Sequence, residues 1–483
     1  MRRESLAKNF VFQFAYQALI LIVPLLMSPY LTRTLMPDSL GVSTYVHSIA
    51  YYFIIAANLG ISVHGRRLLS RVSSDPILLR RSFWSLFYTH IGISTAVVLV
   101  YFASITLIRP ANLTIYLISG IYVLSALFDI TWLFYGLENF SSVVIKNAAV
   151  KVIECVLVFC IIKSPDDLWK YTLIISLGSF LGQVLMLPQA FKMVPPIRVS
   201  KADIIPHIKP LLLFSVSVIA SALYTIFDKT LLGLLSTSAN VAFYEYAYRI
   251  VAIPQTFIGI IGTVMLPRAC RLVEAQKADE QKKYISYSFF LSSFIGMGAM
   301  FGIYAVAEKL AIVYYGEAFE PCGKIMMALA PLSYIVGTGS ILRSQYLVPN
   351  GIDKQYNLCI IYNAIINLVL SAALIPILGV YGAVVGTLAA EIFGLVYQTV
   401  LCRKIEAWKG ILKTLIPFAC LGAMMFGFIK ILSRWLTVSV RSLIIEIVAG
   451  AMFYVVASLV YMLIFKKEIW RMCTGALLSK LKK

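Results

Sequence analysis

The chain has 483 residues, of which 60% are hydrophobic and only 13% charged, with a mean hydropathy of +0.86. A soluble protein of this size carries roughly 25% charge, so a multidomain water-soluble enzyme is excluded. The 42 Lys and Arg outnumber the 22 Asp and Glu, a formal net charge of +20. Beside apolar stretches too long for a globular core, that excess reads as a membrane topology signal and not as a nucleic-acid footprint.

Runs of about 20 apolar residues, enough to cross roughly 30 Å of hydrocarbon, recur fourteen times. The first, at 10–31, holds Pro24 and Pro29; it follows Arg2, Arg3 and Lys8 and lacks a small-residue cleavage site, so it is expected to stay as a membrane helix. Arg33 stands at its far end. After the second span (41–61) the cluster Arg66, Arg67, Arg71, Arg80, Arg81 marks an inner loop before the third (83–108). The fourth (112–135) carries Asp129 in its inner third. The fifth (143–162) carries Lys151 and Glu154 near its middle, spaced i, i+3, either a self-neutralising pair or a substrate or proton site. The sixth (169–190) leads through a basic connection to the seventh (211–235), where Asp228 and Lys229 lie in the outer third. Adjacent helical residues point about 100° apart, so these two meet different neighbours, lining a cavity or bridging helices.

The eighth span (241–266) opens with Glu245 and Arg249 at i, i+4, an intrahelical pair by spacing, and contains Pro254. The ninth is 284–306. The tenth (322–346) holds Pro331, with Lys324 and Arg343 near opposite ends and expected to snorkel. The eleventh (356–378) and twelfth (380–402) are parted only by the short connection Pro376 to Val380. The twelfth carries Glu391 with no basic residue in reach on its own helix, a candidate carrier of a coupling proton. Spans at 411–432 and 441–465 complete the series, with twelve helices as the alternative count. A charge near the bilayer centre costs at least about 2.5 kcal/mol, which makes each intramembrane ionisable residue a functional candidate. The prolines, which free a carbonyl four residues back, mark either gates or static bends.

With the N-terminus inside, inner segments hold roughly four times as many Lys and Arg as outer ones, the asymmetry expected of fourteen spans with both termini cytoplasmic. No loop is long enough for a soluble domain. A faint repeat supports two halves: Gly41, Tyr45 and Ile49 share their spacing with Ala242, Tyr246 and Ile250, and Ile145-Lys-Asn-Ala echoes Ile361-Tyr-Asn-Ala. The expected organisation is an all-α polytopic membrane protein. A six-helix bundle occupies 1–195, a cytoplasmic linker 196–210, a second six-helix bundle in the same orientation 211–405, and two appended helices with a basic tail 406–483. The eight cysteines form no Cys-x-x-Cys pair, and the four scattered histidines offer neither a metal set nor a catalytic triad. No cofactor, metal, nucleotide-binding motif or enzymatic site is expected.

Several motifs resemble a known family. Pro29-Tyr-Leu-Thr-Arg33-Thr-Leu35 with Pro37, Gly41 and Tyr45 is similar to the signature between the first two helices of the Wzx-type polysaccharide repeat-unit flippases. These belong to the multidrug/oligosaccharidyl-lipid/polysaccharide (MOP) exporter superfamily. Asp129-Ile-Thr-Trp132-Leu-Phe-Tyr-Gly136-Leu-Glu138, Asp228-Lys229-Thr-Leu-Leu-Gly233, and the region from Gly382-Ala383 to Glu391 match as well. Tyr246-Ala247-Tyr248-Arg249 with Pro254, Gly262-Thr263 and Leu266-Pro267 also resembles the eighth helix of the lipid II flippases, in which the matching arginine belongs to the central cavity. The arginine-aspartate pair early in their first helix is missing here, which argues for a different head group.

The resemblance implies a MATE/MOP-like fold and transport of undecaprenyl-pyrophosphate-linked oligosaccharide across the bacterial inner membrane. By the lipid II flippase match Arg249 contacts substrate; the intramembrane charges add Lys229, Lys151 and Arg33 as substrate-binding candidates, Arg33 equally as a structural or gating residue, and leave Asp228, Glu391, Asp129 and Glu154 for ion coupling or gating. Membrane lipid, a polysaccharide polymerase and a chain-length regulator are the expected partners, nucleic acid is not, and a monomer suffices. The competing reading is a MATE-type drug or cation antiporter, whose cavity should be acidic where these candidates are mixed.

Overall fold

A computed structural model describes residues 6–465, with side chains described at all of them except 6–17, 216–218 and 220–225. The described residues contain helices and connections but no strand, as a bilayer requires of a chain that does not close into a barrel. In chain order the α-helices are α1 (Leu6–Asn58), α2 (Ile61–Val72), α3 (Pro76–Ile108), α4 (Leu113–Ser125), α5 (Thr131–Gly136), α6 (Phe140–Ile161), α7 (Leu168–Val184), α8 (Leu187–Met193) and α9 (Lys201–Leu235). They continue as α10 (Ser238–Glu274), α11 (Ala278–Leu310), α12 (Pro321–Leu329), α13 (Leu332–Leu342), α14 (Asp353–Leu378), α15 (Val380–Leu401), α16 (Ala407–Ser433) and α17 (Val440–Phe465).

Eleven stretches among the described residues are long and apolar enough to cross a bilayer. The first holds two crossings, because α1 breaks at Met36, where φ is 64° and ψ 165°. Pro37 follows, and a residue before proline is driven out of the helical region. Two further helices have the length: α6, which carries Lys146, Lys151 and Glu154, and the 35-residue α9. Counted this way the described residues hold fourteen segments of membrane-spanning length, as befits a polytopic all-α membrane protein.

The chain divides into two compact units, Met1–Phe243 with Ile375–Val380, and Tyr244–Leu374 with Tyr381–Lys483. In the first, α1 packs on α3, α6 and α9, α4 on α7, and α6 on α7. Gly60 (φ 72°) turns the chain out of α1; a Cβ there would stand 2.9 Å from the Leu211 carbonyl and the Ser215 nitrogen. The turn leads into α2, whose buried Ile61, Gly65 and Leu69 oppose exposed Arg66, Arg67 and Arg71. Three exposed arginines on twelve residues place α2 outside the hydrocarbon. It packs on α5 and α3, where Phe83 lies against Trp132 (5.3 Å) and Trp84 (5.4 Å). The Trp84 indole donates to the Val194 and Pro195 carbonyls at 3.1 and 3.0 Å, and Arg80 donates to those of Pro195 and Pro196, both at 3.1 Å. These bonds hold the connection between α8 and α9 against α3.

In the second unit α11 is central and packs on α12, α13, α16 and α17. Phe418 of α16 meets Phe290 (4.9 Å) and Phe294 (5.8 Å) of α11. At the other end of α11 the Lys309 ammonium pairs with the Glu446 carboxylate of α17 and donates to Ser433 of α16 (3.3 Å). The tenth span is divided at Pro331 into α12 and α13. Two π-helical turns follow α11 and α13, at Ala311–Tyr315 and Arg343–Leu347.

Candidate functional site

Within the first unit, α1, α4, α6 and α7 enclose a polar cavity of about 200 Å³. Its lining joins Asp129, Lys151 and Glu154 to Asn58, Asn147, Gln183, Ser125, Ser179 and the Tyr122 ring. Asn58 ends α1, Asp129 follows α4, and Gln183 is the penultimate residue of α7, so these three stand at the end of the bundle that carries the basic α2 connection. Lys151 and Glu154 lie deeper, near the middle of α6.

The Lys151 ammonium meets Glu154 Oε2 at 2.7 Å, the pair that the i, i+3 spacing predicts. Glu154 is 3% exposed, and its Oε1 has no hydrogen-bond partner among the described residues. Room for that carboxyl comes from α7. A Cβ on Gly178 would fall 1.9 Å from Glu154 Oε1, and one on Gly182 3.2 Å from Asn147 Oδ1. Gly178 and Gly182 are four apart, so a groove runs down one face of α7 and accepts the polar side chains of α6. Asp129 sits where the fourth span leaves helical geometry; its Oδ1 accepts from the Thr131 amide (3.0 Å) and hydroxyl (2.6 Å), and its backbone carbonyl accepts from the Trp132 indole (2.9 Å). One oxygen of Asp129 thus organises the start of α5 while the residue lines the cavity.

In the second unit Arg249 of α10 donates from Nη2 to Glu245 Oε1 at 2.9 Å, the pair expected from i, i+4. Its guanidinium lies 4.7 Å from the centre of the Tyr246 ring. That ring packs edge-on against Tyr315 and Phe319, each at 5.3 Å, and the Tyr315 hydroxyl donates to the Tyr246 carbonyl at 2.9 Å. Tyr315 closes the π-helical turn after α11; such turns are frequent at functional sites, because the extra residue re-aims a side chain. The result is a guanidinium oriented by a carboxylate and floored by aromatic faces, with a quarter of its side chain exposed (25%).

The remaining candidates lie on α1, α9 and α15. Arg33 precedes the α1 break and donates from Nη1 to the Pro29 carbonyl (3.2 Å). Asp228 is buried in α9 and Lys229 is partly exposed beside it; one residue on, the Thr230 hydroxyl bonds Tyr52 of α1 (3.0 Å). Glu391 is partly buried on α15. Asn58, Asn147 and Gln183 escape a reading based on charge because they are neutral. Their signal is an amide inside an apolar span, together with the Gly178-x-x-x-Gly182 pattern that makes space for it.

Kinked membrane-length helices carrying ionisable groups in their interior define a polytopic membrane protein. A solved lipid II flippase, MurJ in an inward closed conformation, superposes with a TM-score of 0.75 at 15% identity, covering 94% of this chain and 99% of that one. An inward-facing multidrug-resistance transporter of the MATE family superposes at 0.59 and 13% identity, covering 81% and 96%. In sequence the chain is 25% identical to a proposed O-antigen transporter of Shigella dysenteriae over 80% of its own length and 97% of that protein's. Residues 6–273, more than half the chain, match the family described as polysaccharide biosynthesis protein, and the chain belongs to it.

Proposed function

We propose that this protein is a flippase for lipid-linked polysaccharide repeat units, moving an undecaprenyl-pyrophosphate-linked oligosaccharide from the cytoplasmic to the outer leaflet of the bacterial inner membrane by alternating access. The observation that carries the reading is the match over 97% of a proposed O-antigen transporter, in a chain with the fold of a lipid II flippase. The chemistry of the candidate residues agrees with it. A pyrophosphate is best met by planar guanidinium donors, and Arg249, oriented by Glu245 and stacked on Tyr246, is such a group. Lys229, Arg33 and Lys151 supply further positive charge along the route. Asp228, Glu391, Asp129 and Glu154 serve ion coupling or gating.

The two sequence repeats, 1–195 and 211–405, are the halves that exchange access, with 196–210 linking them and 406–483 appended. Both termini lie in the cytoplasm, on the basic side. A monomer is sufficient, with a polysaccharide polymerase and a chain-length regulator acting beside it on the delivered product. The relatives are transporters, and the role is transport without a chemical step.

The test is deletion of the gene, followed by analysis of surface polysaccharide and lipid-linked intermediates with wild-type, Arg249→Ala and Lys229→Ala complementation. Loss of surface polysaccharide with undecaprenyl-linked units retained on the cytoplasmic side, restored by wild type and not by Arg249→Ala, is the expected outcome. Unchanged polysaccharide with altered sensitivity to cationic drugs would overturn the reading in favour of a MATE-type antiporter.

A further inference from the structure

We infer that the polar cavity of the first unit is a subsite for one saccharide ring of the cargo's head group, an assignment that rests on the flippase reading. Three side-chain acceptors that line it, Asn58 Oδ1, Glu154 Oε1 and Gln183 Oε1, are shielded from solvent and have no hydrogen-bond partner among the described residues. Buried acceptors left unpaired are costly, and three lining one cavity call for a ligand rich in donors.

The remaining lining decides which donor-rich ligand fits. A metal cation would bind the oxygens but would meet the Lys151 ammonium, which already holds Glu154 at 2.7 Å. A phosphate would meet the carboxylates of Glu154 and Asp129. A sugar hydroxyl both donates and accepts, so it pairs with the orphan oxygens and equally with the amide N–H groups of Asn58, Asn147 and Gln183 or with Lys151. The volume agrees: 200 Å³ is more than ten times the roughly 15 Å³ that one water needs, too roomy for a single dehydrated ion and of the order of a pyranose ring. Tyr122, Ile54, Val150 and Ala126 supply the apolar wall that the C–H face of a sugar requires. The Gly178 and Gly182 groove on α7 keeps the Glu154 carboxyl and the Asn147 amide in register. A neutral polyhydroxyl ring is the ligand whose groups match this lining.

The experiment uses the purified full-length protein in detergent. Affinity is read by thermal shift for bare undecaprenyl pyrophosphate and for the lipid-linked repeat units that accumulate in the flippase-deleted host. Wild type should bind the sugar-bearing lipid more tightly than the bare carrier. Asn58→Leu and Gln183→Leu should each weaken the sugar-bearing lipid by about tenfold and leave the bare carrier unchanged. Gln183→Glu, which keeps the Oε1 acceptor, should retain the sugar-dependent gain and shows that the site tolerates substitution. An equal sugar-dependent gain in wild type and both Leu variants would overturn the subsite while leaving the flippase reading intact. A sodium-dependent shift that the Leu variants abolish, with no change toward the sugar, would overturn it in favour of a cation site. Failure of wild type to bind either lipid would overturn the flippase reading and the subsite with it.

Discussion

Gly178 shows how much of the first unit's polar cavity depends on a missing side chain. The Glu154 carboxyl occupies the space a methyl would take, 1.9 Å from the ideal Cβ position. Gly178→Ala therefore has to push that carboxyl aside, break its contact with Lys151 or move α7. Overpacking of this kind costs about 1–3 kcal/mol, so the purified variant should unfold at a lower temperature than wild type. An unchanged melting temperature would mean that α7 yields freely and the groove is not a constraint. Arg249 presents the complementary case, since two of its partners are local: Glu245 one turn back and Tyr246 three residues back. Its pairing was legible in the spacing of the sequence, whereas the Tyr315 contact beneath it depends on a π-helical turn that no apolar pattern announces.

At the scale of elements, run length suffices to place the membrane-length helices, because a membrane helix must be apolar along its whole length. The breaks are less legible. Pro24, Pro29 and Pro254 lie inside helices that continue through them, whereas the chain is interrupted at Pro331 and at the Met36–Pro37 step. Proline fixes its own φ and removes a donor, but whether the helix resumes depends on neighbours that satisfy the freed carbonyl. The packing of α2 on α9 is also invisible in sequence, since His64 and His207 are far apart along the chain. Folded, His64 Nε2 and His207 Nδ1 are 3.3 Å apart, and His207 Nε2 meets the Ser85 hydroxyl of α3 at 2.9 Å. Both imidazoles titrate below their ordinary value of about 6.5. Burial is the main cause for each; His207 lowers His64 further, while Asp203, itself paired with Arg81 at 2.7 Å, partly opposes the shift at His207. The unfolded chain therefore binds more protons than the folded one as the pH falls below about 6.5. The contribution of the neutral pair is complete above that value and is lost as the pH drops through the depressed folded values. Melting temperature should fall between pH 7.5 and 5.5, and the double variant His64→Gln, His207→Gln should flatten that dependence. The same slope in the double variant would show that the acid sensitivity arises elsewhere.

For the whole molecule, the composition that excludes a soluble enzyme also limits what holds the fold together. Lipid tails are as apolar as leucine, so packing and buried polar contacts must do what the hydrophobic effect does in water. The last two helices illustrate this. Sequence repeats present 406–483 as an addition to two six-helix halves, yet one face of α16 and of α17 packs against α11, the central helix of the second unit. Phe418 and Tyr454 meet Phe294 at 5.8 and 5.4 Å, the Tyr454 hydroxyl donates to the Phe294 carbonyl at 2.8 Å, and Glu446, 1% exposed, carries the counter-charge of Lys309. Removing one partner of a buried ion pair costs about 3–5 kcal/mol, while replacing both by apolar groups is close to neutral. Glu446→Ala should therefore lower the melting temperature sharply, and Lys309→Met with Glu446→Leu should recover most of the loss. A chain ending at residue 405 would leave Lys309 unpaired and the Phe290 and Phe294 face of α11 uncovered at once. Such a truncation should lose the monodisperse peak on size exclusion in mild detergent. If it purified as a stable species with the wild-type melting temperature, the two helices would be an independent attachment and the second unit would be complete without them.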